Sequence, residues 1–183
     1  MSKHNISSQI DSRISLFKDG VKIYEAPVSY DALSSFASNA LDCESNEEFF
    51  AALSQHPSSS VREQVAYKDK LNEDTVMALA GDSSISVLRN LVRSSGFRRY
   101  ATEDLVLELI DRDVEIACTI AQNFESFENV DRQKVIDQLI SSSDPAVVAA
   151  VAGNYSSPKK TLKELLKHPD PYVAEEAKRV MDN

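Results

Sequence analysis

The side chains best able to do chemistry in this sequence are charged and aromatic residues between positions 87 and 131. The stretch VLRNLVRSSGFRRY at 87–100 holds four arginines and no acid, whereas 103–131 holds nine acids and a single base, Arg112. Arginine forks bind carboxylates or phosphates, and a band of carboxylates attracts a basic partner. The candidate partner-binding residues are Arg89, Arg93, Arg98, Arg99, Tyr100, Glu103, Asp104, Glu108, Asp111, Asp113, Glu115, Phe124 and Phe127.

Two interpretations of these charges stay open. Arg89 and Arg93 are four residues apart, so they share one face if this stretch is helical. Neighbouring segments of the chain can then neutralise each other through solvated ion pairs, each worth less than about 1 kcal/mol. Alternatively, the charges form a bipolar surface whose acidic band faces a basic partner and whose arginines take a carboxylate or a phosphate.

The residues that usually build catalytic or metal sites do not form such a site here. His4 lies at the start of the chain, and His56 and His168 each precede a proline in corresponding turns, which favours a turn role over metal ligation. There is no HExxH, Walker-type or GxSxG motif. Cys43 and Cys118 belong to no CxxC pair, so we expect two reduced core thiols. We therefore expect no enzyme activity, no cofactor and no metal.

Composition limits the class of partner. The chain has 183 residues, of which 42% are hydrophobic and 27% charged, as in folded proteins with a substantial core. Its net charge of −9 disfavours nucleic acid and anionic membranes as partners. No apolar run approaches the ~20 residues that span a bilayer, and the N-terminus is too polar for a signal peptide. We expect a cytoplasmic protein with a protein partner of basic character.

The elements that position these residues follow from an internal repeat. Apolar anchors recur at intervals of 26, 29, 31 and 26 residues, and a second apolar residue follows each anchor by four positions, on the same face of a helix. The anchors are Val61, Val87, Ile116, Val147 and Val173, followed by Val65, Leu91, Ile120, Val151 and Ala177.

A second apolar pair, with a spacing of three residues, ends seven or eight residues before each anchor. These pairs are Phe50/Leu53, Val76/Leu79, Val106/Leu109, Ile136/Leu139 and Leu162/Leu165. One helical hairpin cannot bury its apolar side alone, so neighbouring hairpins must stack and share a core. The sequence thus predicts an all-α fold, a right-handed superhelical solenoid of about five helical hairpins over 41–183.

Asp-Pro pairs mark the starts of the predicted helices. Asp144 and Asp170 can accept N–H bonds as N-caps, with a proline at the first helical position, where no N–H is needed. We expect Ser157-Pro158 to start the next helix in the same way. Small residues such as Ala149 and Ala150 are expected to let adjacent helices approach closely.

Residues 1–40 fit the repeat poorly and are predicted to form an N-terminal cap. Asp19-Gly20 lies between two β-prone runs and favours a two-residue β-hairpin. The alternative is a helix that ends before Gly20, through Ile6, Ile10, Ile14 and Phe17. After Pro27 the pattern predicts a helix through Leu33, Phe36, Ala37 and Leu41.

The stretch GNYSSPKKTLKELLKHPDPYVAEEA at 153–177 resembles the leucine-rich repeat variant family. Units of that family read Asn-x-x-x-Pro, then Leu-x-x-Leu, then Asp-Pro-x-Val-Arg-x-x-Val-Ala. Residues 45–180 more broadly resemble HEAT-like α-solenoids, and the resemblance is weaker at 94–103 and 123–131. Of the arginines that typically follow the anchor in that family, this chain has only Arg62. The resemblance implies a solenoid that binds other macromolecules, without naming the partner.

The leading functional interpretation is a non-enzymatic protein-interaction module. Two alternatives stay open: an acidic inhibitor or immunity-type protein that neutralises a basic enzyme such as a nuclease, and a DNA glycosylase-like enzyme of the HEAT-like branch. The acidic excess and the absence of Trp disfavour the second alternative. Aromatic residues in the two elongated turns either anchor a partner or cover the core; these are Phe97, Tyr100, Phe124 and Phe127.

Overall fold

The computed structural model describes residues 12–183, which are mostly helical with one small antiparallel sheet. The strands are β1 (Arg13–Lys18) and β2 (Val21–Pro27). The α-helices described are α1 (Tyr30–Asn39), α2 (Glu47–Ser54), α3 (Ser59–Ala66), α4 (Glu73–Ala80), α5 (Ile85–Leu91), α6 (Ser95–Tyr100), α7 (Glu103–Ile110), α8 (Val114–Asn123), α9 (Arg132–Ile140), α10 (Pro145–Ala152), α11 (Lys159–Leu165) and α12 (Pro171–Met181).

The predicted β-hairpin is confirmed. Asp19 and Gly20 join the strands with φ values of 51° and 77°, the left-handed conformation that a tight two-residue turn requires. Leu16 pairs with Tyr24 across the ladder, and Ile14 pairs with Ala26. The helical alternative is therefore wrong for Ile14 and Phe17, which lie in β1, while Ile6 and Ile10 fall outside the described residues.

The helix predicted after Pro27 forms, but it is shorter than the pattern indicated. It ends at Asn39 because Ala40 adopts an extended conformation, so Leu41 lies beyond it. Leu33 and Ala37, four residues apart, are its buried residues. Phe36 is exposed, and its ring edge meets Phe49 at a centroid distance of 5.7 Å.

Helices pack in consecutive pairs, and each predicted anchor lies in the second helix of its pair. The pairs are α2 with α3, α4 with α5, α7 with α8, α9 with α10, and α11 with α12. All five anchors and the apolar residues four positions beyond them are buried, as are all five preceding pairs. α3 packs between α1 and α5, and α10 packs between α8 and α12, so the buried residues form one extended core.

The Asp-Pro starts are confirmed at two helices and corrected at a third. Asp144 and Asp170 accept backbone N–H bonds of 2.9 Å from the residue two positions later, with a proline between. Ser157 does not cap α11. Its hydroxyl instead donates to the carbonyl oxygen of Val151 at 2.6 Å, and Pro158 stands at the N-cap position.

Side chains also link the turns of successive pairs. The carboxylate of Asp42 accepts from the backbone N–H groups of Asp69 and Lys70, at 2.7 and 2.9 Å. Asp69 in turn accepts from the N–H of Ser95 at 2.7 Å. These partners are 26 to 28 residues apart, so each bond joins two turns that are distant along the chain.

The two segments predicted as elongated turns are structured and pack on each other. Residues 95–100 form α6, and residues 124–126 form a 3₁₀ turn. The rings of Phe97 and Phe127 meet edge to face at 5.9 Å. The N–H of Glu128 donates to the carbonyl of Arg98 at 3.2 Å, which fixes the second segment against the first.

Candidate protein-binding surface

Four of the candidate residues form one ion-pair network between α5 and α8. Arg89 donates two hydrogen bonds to Asp113, at 2.8 Å from Nε to Oδ1 and 2.7 Å from Nη2 to Oδ2. Its Nη1 lies 2.9 Å from Glu115, which also accepts from Arg93 at 2.5 Å. Two cations therefore face two carboxylates, as the neutralising interpretation of the sequence expects.

Asp113 has a second role at the start of α8. Its carboxylate accepts the backbone N–H groups of Glu115 and Ile116, at 3.1 and 3.2 Å. Hydrogen bonding from Arg89 lowers the pKa of Asp113 most, and these N–H bonds add to the effect, while burial opposes it. Asp113 thus stays ionised at neutral pH and joins α5 to the N-terminus of α8.

The remaining acidic candidates are spread along α7 rather than gathered at the network. Glu103 accepts from Lys134 of α9 at 2.6 Å, and that hydrogen bond is the main reason why its pKa is lowered. Glu108 pairs with Arg112 one turn later, at 2.7 Å. Asp104 and Asp111 are exposed at the two ends of α7.

The remaining arginine candidates lie on α6. Nη1 of Arg98 donates to the carbonyl of Arg93 at 2.6 Å. Arg99 lies 3.8 Å from Glu128, and its guanidinium stands 5.9 Å from the centre of the half-buried Tyr100 ring. The charged candidates thus divide among the α5–α8 network, α6 and α7 rather than converging on one site.

The aromatic candidates require a correction. Phe124 and Phe127 are each only 2% exposed, and Phe97 is fully buried. They are core residues because α6 and the 3₁₀ turn pack together and enclose their rings. Neither Phe124 nor Phe127 presents a surface to a partner, so the expectation that aromatic residues in long turns anchor a partner is wrong for both.

An ion pair between Arg62 and Asp82 went unrecognised in the sequence. Nε and Nη2 of Arg62 donate to the two oxygens of Asp82, at 2.6 and 2.9 Å, and Nη1 donates to the carbonyl of His56 at 2.7 Å. The exposed fractions of the two side chains are 15% and 6%. Arg62 stood out as the arginine after an anchor, but nothing local indicated its partner, which lies in the turn before the next anchor.

Burial and hydrogen bonding act in opposite directions on Asp82. Burial alone would raise its pKa and is the largest single effect. Hydrogen bonds from Arg62 and from the N–H of Ser84, with the charge of Arg62, together outweigh it and hold the pKa below the usual value. Asp82 is therefore an ionised group within the body of the protein.

A groove of about 580 Å³ lies between α8, α10 and α12. The residues that line it are Cys118 and Gln122 of α8 with Glu125 just beyond it, Ala146, Ala149 and Ala150 of α10, Gly153, Asn154, Tyr155 and Ser156 of the turn that follows α10, and Tyr172, Glu176 and Arg179 of α12. The sequence indicated that Ala149 and Ala150 pack against neighbouring helices. Ala149 is buried as expected, but Ala150 is only half-buried and lines the groove.

The histidines in the described residues have the predicted turn role. Nδ1 of His56 accepts the N–H of Ser58, and Nδ1 of His168 accepts the N–H of Asp170, both at 3.1 Å. His4 lies outside the described residues. Cys43 and Cys118 are free thiols, but both are half-buried rather than core residues. In residues 12–183, no three His, Cys, Asp or Glu side chains are grouped as ligands for a metal ion.

None of the helices in residues 12–183 has the length and apolarity needed to cross a membrane. Comparison with protein-family models, with curated proteins and with solved structures finds no match for the chain. The resemblance to leucine-rich repeat variant and HEAT-like proteins therefore stays a prediction from the motifs quoted above.

Proposed function

We propose that this protein is a non-enzymatic protein-interaction module. The observation that carries the proposal is a surface that runs across four helices. Arg89 of α5 and Arg93, two residues beyond its end, contact Glu115 of α8, and α8 also borders the groove that it forms with α10 and α12. A surface that extends over several rigid helices suits a macromolecular partner better than a small substrate.

The proposed architecture is a right-handed α-solenoid capped by residues 1–40. Its support is the repeated burial of the anchors, the packing of α3 and α10 between equivalent helices, and the hydrogen bonds that join successive turns. In such an array each unit contacts its neighbours only, and the outward sides of equivalent helices line up as a binding face.

The proposed partner is a basic protein. The net charge of −9 attracts basic surfaces over distances comparable to the Debye length. Arg89 and Arg93 are already held by Asp113 and Glu115, so they present little positive charge to a second anionic group. Asp104 and Asp111, at the two ends of α7, are exposed to solvent.

Affinity capture from native extract at moderate salt, with mass spectrometry of the retained proteins, tests this proposal. The bait is the full chain, with Asp104→Lys as the variant and Asp74→Lys as its matched control. Asp104 and Asp74 are both exposed, and both are the second residue of a helix that follows a capped turn. A basic partner retained by the wild type and the Asp74→Lys control, but depleted by Asp104→Lys, supports the proposal.

Two other results would contradict it. Retention of nucleic acid alone would mean that the arginines form a binding groove. If circular dichroism shows that the chain is folded and yet no protein is retained in stoichiometric amount, the interaction-module proposal is excluded.

A second candidate is an acidic inhibitor of a basic enzyme such as a nuclease. The observation that favours it is the pair of exposed carboxylates, Asp104 and Asp111, at the two ends of α7. It predicts that the captured partner is one basic enzyme, whose activity falls in proportion to added chain. If the captured enzyme keeps full activity when the chain is present at a saturating concentration, the inhibitor hypothesis is excluded and the interaction-module proposal stands.

A further inference from the structure

The groove exists because α10 carries small residues at positions where its neighbours carry larger ones. The residues of α10 and its C-terminal end that line the groove include Ala146, Ala150 and Gly153. At the same three positions relative to the anchor, the neighbouring α8 has Glu115, Thr119 and Gln122, and the neighbouring α12 has Tyr172, Glu176 and Arg179. The small residues of α10 therefore leave a groove between the larger side chains of its neighbours, and this groove is wide enough for a side chain.

Gly153 allows the far side of the groove to approach the floor. A Cβ atom at this position would lie only 2.8 Å from Oε2 of Glu176 and 3.4 Å from Nη2 of Arg179. Cβ atoms do not approach other atoms as closely as 2.8 Å, so alanine here would push Glu176 away. Gly153 therefore leaves room for the ends of the Glu176 and Arg179 side chains beside α10.

The one cation in the lining is already engaged. Arg179 donates to Glu176 at 2.6 Å and to the hydroxyl of Tyr155 at 2.7 Å, and its guanidinium stands 5.4 Å from the centre of the Tyr155 ring. The hydrogen bonds that Arg179 donates to Glu176 are the main reason why the pKa of Arg179 is raised. Arg179 and Glu176 therefore neutralise each other on the far side of the groove.

The opposite side keeps an uncompensated negative charge. Glu125 accepts a hydrogen bond of 3.1 Å from the neutral amide of Asn154 and forms no ion pair with any residue in 12–183. The Cys118 thiol, also in the lining, has a pKa raised first by burial and then by the nearby Asp144, Asp113 and Glu115 carboxylates. The carboxylate of Glu125, which has no counter-ion among the described residues, therefore favours a cation at this side of the groove.

The two tyrosines supply aromatic faces for that cation. Tyr155 is 66% exposed and Tyr172 is 60% exposed, and both line the groove. A guanidinium can stack on a tyrosine ring, and Arg179 already does so on Tyr155. The alanine floor provides an apolar surface for the methylene groups of a long basic side chain.

We propose that the groove between α8, α10 and α12 binds an arginine side chain of the basic partner, so this inference rests on the proposed function. The methylenes lie on Ala146 and Ala150, the guanidinium donates to Glu125, and its plane stacks against an exposed tyrosine. Arginine fits better than lysine because its planar fork can donate to a carboxylate and stack on a ring at once. An acidic side chain would be repelled by Glu125, and an apolar one would leave that carboxylate unmatched.

The test uses a blocked heptapeptide of alternating alanine and glycine with one central arginine, and a matched peptide with citrulline, which is neutral and of nearly the same shape. Each is titrated into the ¹⁵N-labelled full chain, and amide shifts are followed by nuclear magnetic resonance. We expect the arginine peptide, at up to about 5 mM, the range of a single-side-chain contact, to shift the amides of Gly153, Tyr155 and Tyr172. The citrulline peptide is expected to leave them unchanged.

Two substitutions locate the effect. Ala146→Leu fills the groove from an exposed position, and Ser86→Leu places the same side chain at the equivalent exposed position of α5, outside the groove. We expect Ala146→Leu to abolish the shifts and Ser86→Leu to keep them. Glu125→Gln, which keeps the shape of the side chain, is expected to weaken binding about tenfold, as when one charge-assisted hydrogen bond is lost.

Three results would overturn the inference: no shifts with the arginine peptide, equal shifts with citrulline, or shifts that persist in Ala146→Leu. Its failure is distinct from that of the proposed function. If Ala146→Leu and the wild type retain a basic partner equally, the interaction-module proposal stands but the proposed arginine site in the groove is excluded. Absence of any captured protein would remove the interaction module, whatever the peptides bind.

Discussion

At the residue scale, the bonds between Arg62 and Asp82 hold α3 to the turn between α4 and α5. Both side chains are largely shielded from solvent, and the guanidinium also donates to the carbonyl of His56, in the turn before α3. A charge in such a place is stable only while its partner is present. The pair thus adds a specific polar contact to the apolar packing between α3 and α5.

Asp82→Asn tests this role. The substitution removes the negative charge and leaves Arg62 shielded from solvent without a counter-ion. We expect a loss of about 2–3 kcal/mol in the free energy of unfolding, measured by urea denaturation. Glu108→Gln is the control, since Glu108 forms an exposed pair with Arg112, and we expect it to cost less than about 0.5 kcal/mol. Equal effects of the two substitutions would contradict the assigned role of Asp82.

His56 gives the stability of the fold a dependence on pH. Its Nδ1 accepts the N–H of Ser58, so the ring proton lies on Nε2, which has no hydrogen-bond partner in the described part of the chain. Burial lowers the pKa of His56 most, and the charge of Arg62 lowers it further. Protonation would also require a hydrogen on Nδ1, directed at the N–H of Ser58.

The sign of the effect follows from proton linkage. Below the ordinary histidine pKa of 6.5, the unfolded chain binds the proton more readily than the folded one. The free energy of unfolding should therefore decrease as pH falls below about 6.5, by at most about 1.4 kcal/mol per pH unit for one group. Asp82 and Asp113, whose pKa values are lowered, contribute a separate loss only under more acidic conditions, near and below about pH 4.

Urea denaturation at pH 7.5 and 5.5 measures this slope. We expect His56→Gln to flatten it, with the same substitution at His168, in the equivalent turn, as the control. The part of the slope that is assigned to His56 is the part that His56→Gln removes and His168→Gln retains. An unchanged slope in His56→Gln would contradict the assignment.

At the element scale, local signals were enough to predict the hairpin and the paired helices. Asp19-Gly20 permits the left-handed turn, and the i, i+4 anchors define the buried stripe of each short helix. α6 was missed because SSGFRRY contributes only one large buried side chain, Phe97, and no apolar repeat. Its start depends on Ser94, whose hydroxyl accepts the N–H of Phe97 at 3.1 Å.

The positions of the candidate site residues depended on contacts that no local pattern contains. Phe124 and Phe127 are buried because 124–131 packs on α6, through bonds between residues about thirty positions apart, such as Asn129 to Arg99. The groove was missed for a similar reason. In the sequence, a small residue such as Ala150 predicts close helix packing. The groove at Ala150 results from the larger side chains of α12, which local sequence does not place beside it.

Val147→Asp tests the anchor assignment. Val147 is buried on α10, which packs on α8, α9 and α12, and an added carboxylate there would be shielded from solvent. We expect a loss of more than about 4 kcal/mol or failure to fold, followed by circular dichroism and urea denaturation. Ala146→Asp, at the exposed neighbouring position, is expected to stay within about 0.5 kcal/mol of the wild type. A well-folded Val147→Asp protein would show that the anchor does not belong to the core.

At the scale of the whole molecule, we expect the distribution of charge to disfavour the binding of nucleic acid. The chain carries 29 acidic and 20 basic residues, and Arg89 and Arg93, the central arginines, are held by carboxylates of α8. A phosphate backbone would have to displace those carboxylates and would meet the acidic residues of α7. The repulsion acts on DNA and RNA alike, since it depends on phosphates rather than on bases.

Fluorescence anisotropy with labelled duplex DNA and single-stranded RNA tests this expectation. We expect no saturable binding even at about 50 mM salt, where contacts with phosphates are strong. Binding that weakened with salt, was lost in an Arg89→Gln, Arg93→Gln double variant and survived Arg112→Gln would contradict it. That result would favour the glycosylase-like alternative.

The constant spacing within each unit has a consequence for how the chain can change in length. Seven or eight residues separate the last buried leucine of one helix from the anchor of the next in all five units, whereas the units themselves span 26 to 31 residues. An inserted residue within that short linker, if taken up by the following helix, would rotate the anchor by about 100°, away from the core. Insertions and deletions are therefore expected to accumulate between units, at 94–102 and 123–131, where this chain already departs from its own repeat.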